Sequence, residues 1–171
     1  MTAHAKTTRA ASLVAVALIV AWLRGCGDTD TDPTPYLSVA PDGRRLVVAA
    51  RGRGGTDLGV IDLATGVGTR ITDTRLHEST PCWSPDGQWI VYSVSRVGSL
   101  HARLAVCRSD GSGQRYLAPA NSRQTDVAPS YSPDGQWVYF ARSSTLRGGH
   151  MGGRRWYGWD TYRMRPADGL E

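Results

Sequence analysis

The sequence predicts an all-β fold in which one supersecondary unit is laid down nearly three times. The stretch Trp83-Ser84-Pro85-Asp86-Gly87-Gln88-Trp89-Ile90-Val91-Tyr92-Ser93 returns as Tyr131-Ser132-Pro133-Asp134-Gly135-Gln136-Trp137-Val138-Tyr139-Phe140-Ala141. A weaker copy lies upstream at Val39-Ala40-Pro41-Asp42-Gly43-Arg44-Arg45-Leu46-Val47-Val48-Ala49. The prolines at 41, 85 and 133 lie 44 and 48 residues apart, a spacing found in propeller blades and in helical pairs. The residues decide for strands. Proline presets φ for the first corner of a tight turn, Asp bonds nearby backbone N–H, and Gly takes the left-handed conformation before a strand. Bulky residues then alternate: Trp89, Val91 and Ser93 on one side, Ile90, Tyr92 and Val94 on the other. Period two with aromatic and β-branched residues is strand chemistry.

Each unit continues in the same way. Leu58 to Gly66, Leu104 to Gly111 and Tyr162 to Gly169 each read as a strand closed by a Gly turn. A fourth short strand follows at Gly68–Thr72 and Gln114–Ala118. Four strands in about 45 residues make one propeller blade. The expected architecture is a partial β-propeller of about three four-stranded antiparallel blades, open rather than closed. The blades span residues 36–78, 79–125 and 126–171, the third incomplete. Propellers close with typically 4–8 blades, so the outer faces of the first and third are expected to be bare. Either further blades are missing or two copies combine as a homodimer.

The motifs Pro81-Cys82-Trp83-Ser84-Pro85-Asp86-Gly87, Leu104 to Gly111, Arg115-Tyr116-Leu117 and Pro129 to Gly135 resemble the TolB-like β-propeller repeat, over roughly residues 36–169. The first unit departs from the pattern, with Val39 in place of the aromatic and Ala40 in place of the serine. The TolB family carries an α/β domain before a six-bladed propeller. Here only about ten residues separate Cys26 from the first strand, so contacts of that domain are not carried over. Similar blades precede the catalytic domain of prolyl-oligopeptidase-like peptidases, but no G-x-S-x-G elbow occurs in this chain.

The N-terminus reads as an address. Lys6 and Arg9 precede an unbroken run of apolar and small residues, Ala10 to Leu23, too short for the roughly 20 residues of a spanning helix. This is the pattern of a signal peptide over residues 1–25. Leu23-Arg24-Gly25-Cys26 resembles a bacterial lipobox, which makes Cys26 the lipidation site, although Arg24 departs from the usual small or apolar residue. Residues 26–35, with Asp28, Asp30, Asp32 and two prolines, read as a tether. The expected location is exported: periplasmic or outer cell surface, lipid-anchored at Cys26.

Charge removes one class of partner. Of 20 basic residues, Lys6, Arg9 and Arg24 lie in the signal, which leaves 17 against 15 acidic, or +2. Nucleic acid is not implied. No cofactor, metal or catalytic residue is expected. Asp86 and Asp134 sit between Pro and Gly, so Pro41, Asp42, Gly43, Pro85, Asp86, Gly87, Pro133, Asp134 and Gly135 are assigned to turn structure. The aromatics of the repeats are assigned to core or between-blade packing. His77-Glu78 is expected in the loop entering the second blade, and His101 and His150 have no partner at ligand spacing. Cys82 on the innermost strand and Cys107 on the third lie two strand spacings apart, about 9–10 Å. That exceeds the roughly 7 Å reach of a disulfide, so two buried free thiols are expected.

The least blade-like stretch is Ser143 to Trp159. Its paired glycines carry Arg147, His150, Arg154, Arg155, Trp156, Tyr157 and Trp159. Guanidinium forks bind carboxylate or phosphate and aromatics stack on sugars or side chains, which makes this a candidate recognition loop; a variable insertion without function is the other reading. Arg51 to Gly55 is a smaller loop at the equivalent place. The expected function is a non-enzymatic binding module that presents loops to a protein or glycan partner at the cell envelope. The alternative is the truncated N-terminal propeller of a prolyl-oligopeptidase-like peptidase lacking its catalytic domain.

Overall fold

The computed structural model describes residues 36–166 other than 53, 100, 118–123, 145–148, 152, 153 and 157. Among these there is no helix; every regular element is a strand. The first blade holds β1 (Leu37–Val39), β2 (Arg45–Arg51), β3 (Thr56–Asp62) and β4 (Gly68–Arg70). The second holds β5 (Leu76–Trp83), β6 (Trp89–Arg96), β7 (Ala102–Arg108) and β8 (Arg115–Tyr116). In the third, β9 (Gln124–Tyr131), β10 (Val138–Ser144) and β13 (Trp159–Met164) form one sheet, and β11 (Gly149–Met151) pairs with β12 (Arg154–Trp156) as a separate hairpin. Within each blade sequential strands pair antiparallel.

The Pro-Asp-Gly corners turn as their chemistry requires. Gly43, Gly87 and Gly135 have φ of 66°, 67° and 71°, a region costly for residues with a Cβ. The innermost strands carry a second device that the sequence does not announce. Thr80 and Ala128, at matching places before a proline, have φ of 48° and 53°. Each sits at a register shift, between Ser79 and Cys82 in β5 and between Val127 and Ser130 in β9. Bulges of this kind increase strand twist. His77 and Glu78 are not in a loop: β5 starts at Leu76. Thr56 of β3 meets His77 in a parallel bridge and donates to the Glu78 carbonyl at 2.6 Å, which extends the strand. That bridge joins the first two blades into one eight-stranded sheet, while the third blade stays separate.

Alternation divides the core. Ile90, Tyr92 and Val94 face the first blade, where Val47, Ala49 and Leu58 meet them. Val91 of the same strand faces the third blade with Leu104 and Val106, against Val138 and Phe140. Burying each such side chain contributes about 1.5–3 kcal/mol, so the middle blade is held on both faces. The outer face of the first blade is not bare: Leu46, Val48 and Ile61 are buried and form a cluster of their own, with Leu63 packed against it. The outer face of the third blade is open, with Tyr139 at 40% exposure and Trp159 at 51%. The aromatics assigned to packing divide accordingly. Trp83, Tyr92 and Phe140 are buried, Trp89, Tyr131 and Trp137 are half-buried, and Tyr139 is exposed.

Candidate functional site

The two ends of the blades differ. At the turn end, the Ser84 hydroxyl donates to Asp86 Oδ1 at 2.5 Å, and the Gln88 N–H donates to the same oxygen at 3.0 Å. The Trp89 N–H donates to Ser84 Oγ at 2.9 Å. Ser132, Asp134, Gln136 and Trp137 repeat these bonds at 2.5, 3.0 and 2.9 Å. The hydroxyl bonds, then the backbone bonds, hold both carboxyls below the usual aspartate range. A carboxylate so occupied organises a turn. Asp42 lacks a serine partner, since Ala40 stands there. Its Oδ1 accepts from the Arg44 N–H at 2.8 Å and its Oδ2 from the Arg45 guanidinium at 3.2 and 3.1 Å.

Arg45 fills the gap between the first two blades. Its guanidinium lies 4.8 Å from the Trp83 ring centre and donates to the Gly87 carbonyl at 3.3 Å. The same gap between the second and third blades is a cleft of about 800 Å³, lined by Asp86, Trp89, Arg115, Tyr131, Asp134 and Gly135 among others. Trp89 occupies the repeat position of Arg45 but lies against its own blade, with Arg108 4.7 Å from its ring centre. Arg115 donates from Nη2 to the Pro166 carbonyl at 3.1 Å, while its Nη1 is buried with no hydrogen-bond partner. The repeat pattern alone does not show this cleft; its signal in the sequence is the exchange of Arg45 for Trp89 between copies.

At the opposite end lies a buried polar network. Glu78 accepts from the Thr72 hydroxyl and, at 2.9 Å, from that of Thr74. Burial raises its carboxyl above the usual range; the threonine bonds oppose this and the nearby Asp57 adds to it. Asp57 Oδ1 accepts from the Thr74 N–H at 2.9 Å, and its Oδ2 lies 3.7 Å from Arg70. In the third blade Asp126 takes the matching strand position and is gripped by Arg142 in two bonds of 2.6 and 2.7 Å. His101 Nδ1 lies 3.5 Å from Thr125 Oγ1. Among the described residues no three His, Cys, Asp or Glu side chains gather at metal-binding spacing. Cys82 and Cys107 are free thiols on strands two places apart. Cys82 is only half-buried, packed at the edge of the cluster that the second and third blades share. Burial pushes the Cys107 thiol up to about 12.

The candidate recognition loop leaves from this end, where β10 stops. Within it His150 stands opposite Arg155, and Arg154 and Trp156 opposite Met151 and Gly149, in the β11–β12 hairpin. Trp159 opens β13 opposite Ser143 and is exposed. Arg147 and Tyr157 lie outside the described residues, as do Cys26, the signal and the tether. No described helix is long and apolar enough to cross a membrane.

No family model matches the chain. Over 80 residues it is 31% identical to an uncharacterized protein of Agrobacterium fabrum, a match spanning 47% of this chain and 27% of that protein. Among solved structures, an Agrobacterium tumefaciens protein assigned as TolB aligns with a TM-score of 0.59 and 24% identity, over 77% of this chain and 50% of that one. TolB from Acinetobacter baumannii aligns with a TM-score of 0.55 and 17% identity, over 80% and 31%. A prolyl endopeptidase aligns with a TM-score of 0.54 and 18% identity, over 82% and 22%. The chain thus spans half or less of each. Its twin-faced sheets, Pro-Asp-Gly corners and these alignments together show its fold: an open, partial β-propeller whose blades are similar to those of TolB.

Proposed function

We propose that this chain is a non-enzymatic, exported binding module that presents loops to a protein or glycan partner at the cell envelope. The observation that carries the reading is the link between β10 and β13. The blades otherwise join these strands through residues 52–55 and 97–101; here residues 145–158 intervene and fold a hairpin of their own. A rigid blade that holds out a longer loop is the common way in which scaffolds carry recognition. The basic N-terminus and apolar run support export, and Cys26 in its lipobox-like setting supports a lipid anchor; Cys26→Ser is then expected to release the protein from membranes. The test of recognition replaces residues 145–158 by the sequence Val97–His101. Crosslinking of the purified chain to isolated cell envelopes is expected to disappear. Unchanged crosslinking would remove the hairpin from the reading. The likeness to a prolyl endopeptidase supports a second reading, in which these blades cover a peptidase domain; sequencing the gene beyond Glu171 decides that.

A further inference from the structure

We propose that the cleft between the second and third blades is a recognition site for an arginine side chain carried by a partner polypeptide. The template is inside the molecule. Between the first two blades a guanidinium already occupies the equivalent place, held by the Trp83 face, Asp42 Oδ2 and the Gly87 carbonyl. One repeat later the three holding groups recur as Tyr131, Asp86 and the Gly135 carbonyl, and all three residues line the cleft. What does not recur is a guanidinium from the Arg45 position, where Trp89 stands; Arg115 enters the cleft from β8 instead, 5.8 Å from the Trp89 ring centre.

The holding groups keep their arrangement. A methyl built on Gly87 would lie 3.7 Å from Pro41 Cδ, and one on Gly135 would lie 3.7 Å from Pro85 Cδ. Successive turns are therefore stacked alike at both junctions. Trp89 does not swing across to fill the place: its ring faces Gly113, where a methyl would touch it at 3.7 Å, and Arg108 covers it. Asp86 spends Oδ1 on Ser84 and Gln88; the corresponding Oδ2 of Asp42 is the oxygen that takes Arg45.

Arg115 says what else the ligand brings. Its buried Nη1 lacks an acceptor, and a buried unmet donor is unfavourable until an acceptor arrives. A main-chain carbonyl next to the bound arginine supplies one, so a peptide suits the cleft better than a small free cation. The volume of about 800 Å³ holds an arginine with its flanking backbone. Asp86 and Asp134 balance Arg115 and Arg165 across the cleft, so selection rests on the planar fork and the aromatic face rather than on net charge. The site lies at the other end of the blades from the hairpin, so this inference goes beyond the envelope-binding reading and either can fail without the other.

The test is calorimetric titration of the full chain with N-acetylarginine amide, N-acetylcitrulline amide and N-acetylglutamate amide. Millimolar binding of the arginine probe is expected, with citrulline about tenfold weaker or worse, since the uncharged group loses its charge-assisted bonds. Asp86→Asn keeps the turn acceptor and is expected to weaken the arginine probe about tenfold. Trp89→Arg restores the residue found at position 45 and is expected to block the cleft from within. A variant counts only if its thermal transition is retained, and Asp86→Asn alone suffices if Trp89→Arg does not fold. Equal binding of citrulline, tighter binding of the glutamate probe, no arginine binding by the wild type, or full binding by Asp86→Asn would each overturn the proposal.

Discussion

Glu78 is a buried acid whose carboxyl accepts from the neutral hydroxyls of Thr72 and Thr74. Its proton is held more tightly in the folded chain than in the unfolded one, where 4.5 is the ordinary value. The stability that this difference contributes is complete below that value. It is lost as pH rises through the higher folded value. Asp42, Asp62, Asp86, Asp110 and Asp134 act the opposite way: their lowered carboxyls favour the fold above about 3.8 and cease to do so in acid. Glu78→Gln removes the first effect and leaves the second. Melting temperatures of the two proteins from pH 4 to 8 are expected to diverge, the wild type falling relative to the variant. Parallel curves would mean that Glu78 titrates alike in both states. The residue identity of the turns was legible because Ser-Pro-Asp-Gly chemistry is local. The setting of Glu78 was not, since Thr72 and Thr74 belong to the preceding link and nothing in the local pattern brings them to it.

The strand pairs β5–β6 and β9–β10 solve one problem in two ways. Glu78 stands opposite Val94, and Asp126 stands opposite Arg142. The second blade borrows threonines from the link before it; the third answers its acid with a guanidinium on the neighbouring strand. Arg142→Ala leaves a carboxylate with 6% side-chain exposure facing a void and is expected to cost about 3 kcal/mol. The double variant Asp126→Ala/Arg142→Ala is expected to cost less than that single change, because no charge stays buried without its partner. Urea unfolding of the set measures both. The strands themselves were readable from alternation, which period two imposes on any half-buried ribbon. The β11–β12 hairpin was not, since its glycine-rich stretch does not alternate. The bulges at Thr80 and Ala128 were hidden too, because a residue before proline ordinarily favours extended backbone.

Over the whole molecule, each blade turns one face backward and one forward. Val47, Val91 and Tyr139 occupy the same forward position in successive blades; the first two are fully buried and the third is 40% exposed. One chemical change should therefore have two outcomes. Val91→Asp places an unpaired carboxylate between blades and is expected to cost about 4 kcal/mol or more. Tyr139→Asp is expected to cost about 1 kcal/mol. Chemical denaturation compares them, and equal costs would contradict the order of the blades. That order was legible from the repeat period. The cleft was not, because it depends on which side chain of one copy reaches the next.

The bridge between Thr56 and His77 makes the first two blades a single hydrogen-bonded sheet, whereas among the described residues no strand of the third blade pairs with a strand of the second, and the two meet through side-chain packing and the bond from Arg115 to the Pro166 carbonyl. Cohesion along the chain is therefore uneven. Thermal fluctuation, or a pull on the C-terminal end, would open the seam beside β9 before it could part the seam beside β5.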